Sequence, residues 1–246
     1  MQALVAGCGE AFDQELFNTS MLVRTATATV LLDCGYSIPP RIWQAVSDAN
    51  EIDVVYISHA HADHFFGMPA LLGRLWEDGR TKPLTIISQP AVLGDIRAAL
   101  ELGYRGLAER FRYDMKFTAA IQGQVVEAHA CRFSFGETRH SVPNLAVRIE
   151  AAGKVLCYSG DGMFLDASRK LYAGADLVIH EAYFFEQSPI HADIGAVIEM
   201  AEQDGVRQLA LVHVQRDLRR RPARIHDAIA RSRARVTMPD PGTILP

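Results

Sequence analysis

Residues 54–64 read Val-Val-Tyr-Ile-Ser-His-Ala-His-Ala-Asp-His. The run Val54-Val55-Tyr56-Ile57 has the β-branched and aromatic composition of a buried strand. It delivers three imidazoles and a carboxylate within the six residues from His59 to His64. That is ligand supply for one or two transition metals, whose bound water can act as a nucleophile near neutral pH. The plainer alternative is a polar loop after a strand. In a chain of 246 residues with nine His, chance places His-x-His-x-Asp-His on the order of once in a thousand such chains.

Four residues do not complete two metal shells, and the chain offers further donors downstream, each beside an apolar run. His140 lies in Thr138-Arg139-His140-Ser141-Val142-Pro143, just before Leu145-Ala146-Val147-Arg148-Ile149. Asp161 follows Val155-Leu156-Cys157-Tyr158 in a Ser-Gly-Asp-Gly turn, where Gly160 and Gly162 let the backbone bend tightly. His213 ends the run Leu209-Ala210-Leu211-Val212. The set holds nitrogen and oxygen donors but no thiolate, which suits zinc best and leaves manganese or iron open.

Taken in order, these words resemble the metallo-β-lactamase superfamily, and more narrowly its ribonuclease Z branch. The resemblance runs almost end to end, through Gly7-Cys8-Gly9, Asn18-Thr19-Ser20, Leu31-Leu32-Asp33-Cys34-Gly35, the His59–His64 motif and His140-Ser141-Val142-Pro143. It continues through Ser159-Gly160-Asp161, Ile179-His180-Glu181-Ala182, His191 to His213, and Pro239-Asp240-Pro241-Gly242-Thr243-Ile244. It implies an α/β fold, a four-layer αββα sandwich forming a single domain over residues 1–246, with the ligands gathered at one edge of two sheets. It further implies that His59, His61 and His140 hold one divalent ion, that Asp63, His64 and His213 hold the other, and that Asp161 bridges them. A water or hydroxide shared by the two ions would be the nucleophile. In the family this chain resembles, the Glu of the His-Glu-Ala word supports a His that protonates the leaving oxygen, a pairing carried here by Glu181 and His191. Asp63, Glu181 and His191 are thus the expected catalytic residues. His129, His180 and His226 fall outside this series and read as structural.

Departures from the ribonuclease Z pattern bear on substrate. Enzymes that cut precursor tRNA usually carry a long arm between the third His and the bridging Asp, whereas twenty residues separate His140 from Asp161 here, enough for two strands and a turn. Tyr36-Ser37-Ile38 follows Cys34-Gly35 where a Glu-Gly-Thr run is common, and Gly162 stands where Thr is usual. A formal charge of −4 is a poor start for holding a polyanion. Residues 216–235 oppose that balance. They carry eight Arg against two Asp, a local charge of +6, which leaves −10 for the rest of the chain. Arg216, nearest to His213, is the candidate for meeting an anionic ester, against the alternative of a solvated helical face.

The expected activity is that of a dinuclear metal-dependent hydrolase, a phosphodiesterase acting on a small or cyclic phosphodiester, with His191 as general acid. Alternatives are a ribonuclease Z-type tRNA 3′ endonuclease lacking the usual arm, a lactone, thioester or sulfate-ester hydrolase, and a non-catalytic metal-bearing ligand sensor. The partner expected is a small anionic ester rather than a nucleic acid. A homodimer would match the resemblance.

Composition is consistent with one enzyme domain. With 49% hydrophobic and 22% charged residues the chain can bury a large core. No apolar run approaches the roughly 20 residues of a membrane span, and Gln2–Ala6 lacks a basic signal-peptide start. Cys8, Cys34, Cys131 and Cys157 show no paired spacing, which points to a reducing cytoplasm. Gly7-Cys8-Gly9 has Phe12 where a dinucleotide fingerprint needs its third Gly, and neither a Gly-x-Ser-x-Gly elbow nor a phosphate-binding loop occurs. Periodicity predicts strands near 2–6, 20–24 and 29–33, strands through 115–158, and helices over 69–78, 90–102 and between His191 and Gly205.

Overall fold

The computed structural model describes residues 1–246. In the first half of the chain, strands β1 (Gln2–Gly7), β2 (Ser20–Arg24), β3 (Thr29–Leu32), β4 (Val54–Tyr56), β5 (Leu84–Ser88) and β6 (Met115–Ala119) alternate with helices α1 (Pro39–Ala45), α2 (Ala62–Phe65), α3 (Met68–Glu77) and α4 (Pro90–Gly103). The second half has β7 (Val125–Ala128), β8 (Cys131–Arg139), β9 (Asn144–Ala151), β10 (Lys154–Tyr158), β11 (Met163–Phe164), β12 (Leu177–Glu181), β13 (Gln208–Val212), β14 (Arg235–Thr237) and β15 (Ile244–Leu245). Its helices are α5 (Asp166–Tyr172), α6 (Ile194–Gln203), α7 (Arg216–Arg220) and α8 (Ala223–Arg231).

One sheet has the order β15-β1-β2-β3-β4-β5-β6 and the other β11-β8-β9-β10-β12-β13-β14, with β7 also on β8. β3 to β6 run parallel, as do β10, β12, β13 and β14. Strands of this kind are covered on both faces and so read as continuous apolar runs. The two-residue period then divides their side chains between layers. From β3, Val30 and Leu32 enter the core between the sheets, while Leu31 faces the helices. From β12 and β13, Leu177, Ile179, Ala210 and Val212 face the opposing sheet, while Val178, Leu209 and Leu211 pack against α6 and α8 through Ile194, Val197, Ile198 and Ile225. Leu71, Leu72 and Leu75 of α3 and Val92, Ile96 and Leu100 of α4 cover the first sheet from outside. Three apolar interlayers among four layers of elements are the αββα sandwich expected from the resemblance.

The predicted elements are present, with shifted ends. α3 starts one residue early, at Met68, and α4 retains Gly103 as its last residue, Tyr104 making the terminal bond to Leu100. β3 stops at Leu32 because Asp33 turns to φ +57°, which aims its carboxylate inward. Between His140 and Asp161 the chain forms the β9–β10 hairpin, closed by Ala152 and Gly153, both at positive φ. That is a two-residue turn suited to the strand twist.

Close backbone approach places α2 under the first sheet. Gly35 lies against the carbonyl of Asp63, and Gly67 donates to the carbonyl of Cys34 at 2.8 Å. A Cβ on Gly35 would overlap that Asp63 carbonyl. Gly35→Ala is therefore expected to destabilise the protein by about 1–3 kcal/mol in denaturant unfolding, through overpacking. Gly73→Ala, whose Cβ would meet nothing nearer than 3.5 Å inside α3, should stabilise it by about 0.5–1 kcal/mol.

Candidate metal centre

Parallel strands that end at the same edge bring distant residues into one cleft. β4 continues through Ile57 and Ser58 into His59 and His61, and α2 then carries Asp63 and His64. His140 follows β8, Asp161 follows β10, and His213 follows β13 at φ +53°. The ligand atoms of His59, His61, His140 and Asp161 all lie within 4.8 Å of one another, as do those of Asp63, His64, Asp161 and His213. Asp161 belongs to both sets. Its Oδ2 lies 3.9 Å from His59 Nε2, 3.7 Å from His140 Nε2 and 3.4 Å from His213 Nε2, and its Oδ1 is 3.4 Å from His64 Nε2. Asp63 Oδ2 lies 3.1 Å from His64 Nε2 and 3.3 Å from His213 Nε2. All seven residues named from the sequence as ligands thus meet in the fold.

A second layer of hydrogen bonds fixes which ring nitrogens face the cleft. Asp33, wholly buried, accepts from His64 Nδ1, Ser58 N, Ser58 Oγ and Tyr158 Oη, each at 2.7 Å. With His64 Nδ1 donating to a carboxylate, its Nε2 is left as a lone-pair donor toward the site. His140 Nδ1 likewise donates to the carbonyl of Ile190 at 2.8 Å, which leaves Nε2 for the cleft. Asn144 ties the Asp161 turn to the hairpin, donating to the carbonyl of Ser159 at 2.9 Å and accepting from Asp161 N at 3.3 Å.

The electrostatics of the cluster are those of a cation site. Burial pushes His59 well below the usual imidazole range, and His64 adds to that shift. Burial acts on His64 in the same sense, yet Asp161 and Asp63 overcome it and hold that ring well above the usual value. His213 is raised to about 9 by Asp161 and Asp63 in spite of its burial. Asp63 and Asp161 are both lowered, although burial opposes this, by His64 and His213. His59 Nε2, His64 Nε2 and Asp161 Oδ1 have no hydrogen-bond partner. Orphaned buried polar atoms are costly. Three of them, drawn from two donor sets that share Asp161, fit a pair of divalent cations of the nitrogen- and oxygen-preferring kind.

Beside this cluster, wholly buried Glu181 accepts from His191 Nδ1 through Oε1 and from Gly162 N through Oε2. Gly162, which departs from the usual Thr, is required here. Its φ is +97°, and a Cβ would come within 2.5 Å of the Arg139 carbonyl oxygen and 3.0 Å of His140 Cβ. Asp161, Glu181 and His191 could themselves be counted as a metal-holding trio, but Glu181 already satisfies both oxygens with donors. His180 sits on the other side of β12, buried, its Nδ1 bonded to the Glu181 carbonyl at 2.6 Å and its pKa pushed down to about 4 by burial. It stays neutral and structural.

The donors open into a cleft of about 330 Å³ whose walls also include Glu10, Phe12, Tyr36, Ser141, Tyr183 and His191. A larger open groove of about 670 Å³ runs past Glu127–Arg132 and Glu150–Val155, away from any such cluster. Arg216, expected to meet the anionic ester, does not line the cleft. Its Nε pairs with Glu10 Oε1 at 2.8 Å and an Nη bonds to the Phe12 carbonyl at 2.9 Å, because Glu10 is buried and needs a cation. Its neighbours are spent in the same way, Arg219 on Asp240 and Arg220 on Glu15.

Comparison with known proteins agrees with this geometry. Over 251 aligned residues the chain is 24% identical to a ribonuclease Z of Methanosarcina acetivorans, covering 80% of this chain and 81% of that one. Among solved structures, the metallo-β-lactamase fold protein YhfI from Bacillus subtilis superposes with a TM-score of 0.80 at 22% identity, covering 99% of this chain and 98% of that one. A diphosphatase of the PhnP family superposes with a TM-score of 0.76 at 16% identity, covering 100% and 97%. The family described as anti-Pycsar protein Apyc1 matches residues 1–228, and the chain belongs to that family, as a ribonuclease Z-like member of the metallo-β-lactamase superfamily.

Proposed function

We propose that the protein is a metal-dependent phosphodiesterase acting on a small or cyclic phosphodiester. The observation that carries this reading is the convergence of two four-donor sets sharing Asp161, with the Glu181–His191 pair opening onto the same cleft. His59, His61, His140 and Asp161 would hold one cation, and Asp63, His64, His213 and Asp161 the other, zinc being the best match to the donors. When bound, such a pair supplies an activated water and neutralises charge on the attacked phosphoryl oxygens. The chain supplies the proton. Glu181 anchors His191 Nδ1, so Nε2 is the nitrogen free to protonate the departing oxygen.

Substrate size is argued from what borders the cleft. The segment where precursor-tRNA enzymes carry their arm is a tight hairpin here, and the three arginines nearest His213 in sequence, Arg216, Arg219 and Arg220, are paired with carboxylates on the protein itself. Both features support a small ester over a tRNA body. The ribonuclease Z relatives favour the second reading, tRNA 3′ processing.

Zinc-, manganese- or iron-loaded protein is expected to hydrolyse bis(p-nitrophenyl) phosphate, and absence of turnover with all three metals would contradict the proposal. Asp161→Asn should lose bound metal, read by elemental analysis, together with rate. His191→Ala should keep both metals but lower kcat by about 10²–10⁴-fold on methyl 4-methylphenyl phosphate, a diester whose leaving group needs a proton. An unchanged kcat removes His191 from the mechanism. Incubation with a 3′-extended precursor tRNA is expected to give no specific product; cleavage after the discriminator base would reverse the ranking of the two readings.

A further inference from the structure

His191 lies in the irregular stretch between β12 and α6, with its side chain 19% exposed, and its ring makes one hydrogen bond, from Nδ1 to Glu181. One bond in the ring plane fixes a direction but leaves rotation about that direction open. We propose that Tyr183 is a positioning residue that removes this freedom, holding the His191 imidazole in its proton-donating orientation by face-to-face stacking. The proposal rests on the reading of His191 as the proton donor.

The two rings lie 4.3 Å apart between centroids and 18° from parallel. His140 meets the His191 ring edge-on at 5.3 Å, with Phe184 and His213 farther off at 6.4 Å, and the ring nitrogen of His191 without a partner is Nε2, at the cleft wall. Tyr183 is itself immobilised. Its N–H donates to the Ala192 carbonyl at 3.1 Å and its carbonyl accepts from Gln215 N at 3.2 Å. Its ring is braced by Phe184 at 4.4 Å and by His213 at 5.8 Å. A rigid aromatic face bonded to the segments on both sides of the site therefore sets the spacing between the proton donor and a metal-ligating imidazole. Burial, with Glu10 adding, pushes the Tyr183 hydroxyl up to about 12, so the ring it presents is neutral. Misplacement of a reacting group by about 1 Å can cost about 10²-fold in rate.

The test compares kcat/KM for methyl 4-nitrophenyl phosphate, whose leaving group departs without a proton, with that for methyl 4-methylphenyl phosphate, using zinc-loaded enzyme. In Tyr183→Leu and Tyr183→Met the nitro-to-methyl ratio should rise about tenfold or more, through kcat, with metal content unchanged. Tyr183→Phe, which keeps the ring, should retain the wild-type ratio. An unchanged ratio in both aliphatic variants overturns the proposal, as does a rise in Tyr183→Phe equal to theirs. His191→Ala separates the two claims: if its own ratio matches wild type, the reading of His191 fails and takes this inference with it. If that ratio rises while the Tyr183 variants stay flat, only the inference fails.

Discussion

The buried carboxylate of Asp33 is the constraint on which the rest of the site depends. It stands where β3 gives way to a residue at positive φ, a conformation that costs energy for any side chain and persists only when its surroundings hold it there. Four donors do so: the backbone and hydroxyl of Ser58, the Nδ1 of His64 and the hydroxyl of Tyr158. A wholly buried carboxylate is tolerated only with such partners. Ser58 and His64 bracket the His59–His64 loop of the first sheet, while Tyr158 ends β10 of the second, one turn before Asp161. The hub thus ties together the two strand ends that must meet for the donor sets to share Asp161.

Charge is used locally throughout this molecule. Two carboxylates and five imidazoles face one another in the cluster, and the shifts of His64, His213, Asp63 and Asp161 show how strongly each depends on its neighbours. On the outside, the basic stretch after His213 pairs with segments remote in sequence, Arg216 with Glu10, Arg220 with Glu15 and Arg224 with Glu186 in the stretch after β12. The two exposed pairs, Arg220–Glu15 and Arg224–Glu186, contribute about 0–1 kcal/mol each. Their effect is to set where loops lie rather than to raise stability greatly. No helix is long and apolar enough to cross a membrane.

Much of this was legible in one dimension. Three His and an Asp in six residues, followed by His140, Asp161 and His213 at the ends of apolar runs, carried both the candidate site and, through the resemblance, the layered fold. The hairpin between His140 and Asp161 followed from counting residues. What escaped the sequence depends on partners remote in the chain. Arg216 looked available for an anion because its partner, Glu10, lies more than two hundred residues away, directly after a Gly7-Cys8-Gly9 word in which no role for Glu10 was visible. Asp33 stood inside a recognised word but showed no role until Ser58, His64 and Tyr158 closed around it. Tyr183 gave no signal, since a stacked ring has no periodicity and no motif, and only the return of the chain from Ala192 brings His191 over it.

The central claim is that seven side chains from separate strand ends hold two cations across Asp161. Anomalous diffraction at the zinc edge from zinc-loaded crystals tests it directly. Two peaks are expected about 3.5–4 Å apart, each about 2.0–2.2 Å from its nitrogen and oxygen donors, with Asp161 contacting both. A single peak, or a peak between Glu181 and His191 in place of one of the pair, would contradict it.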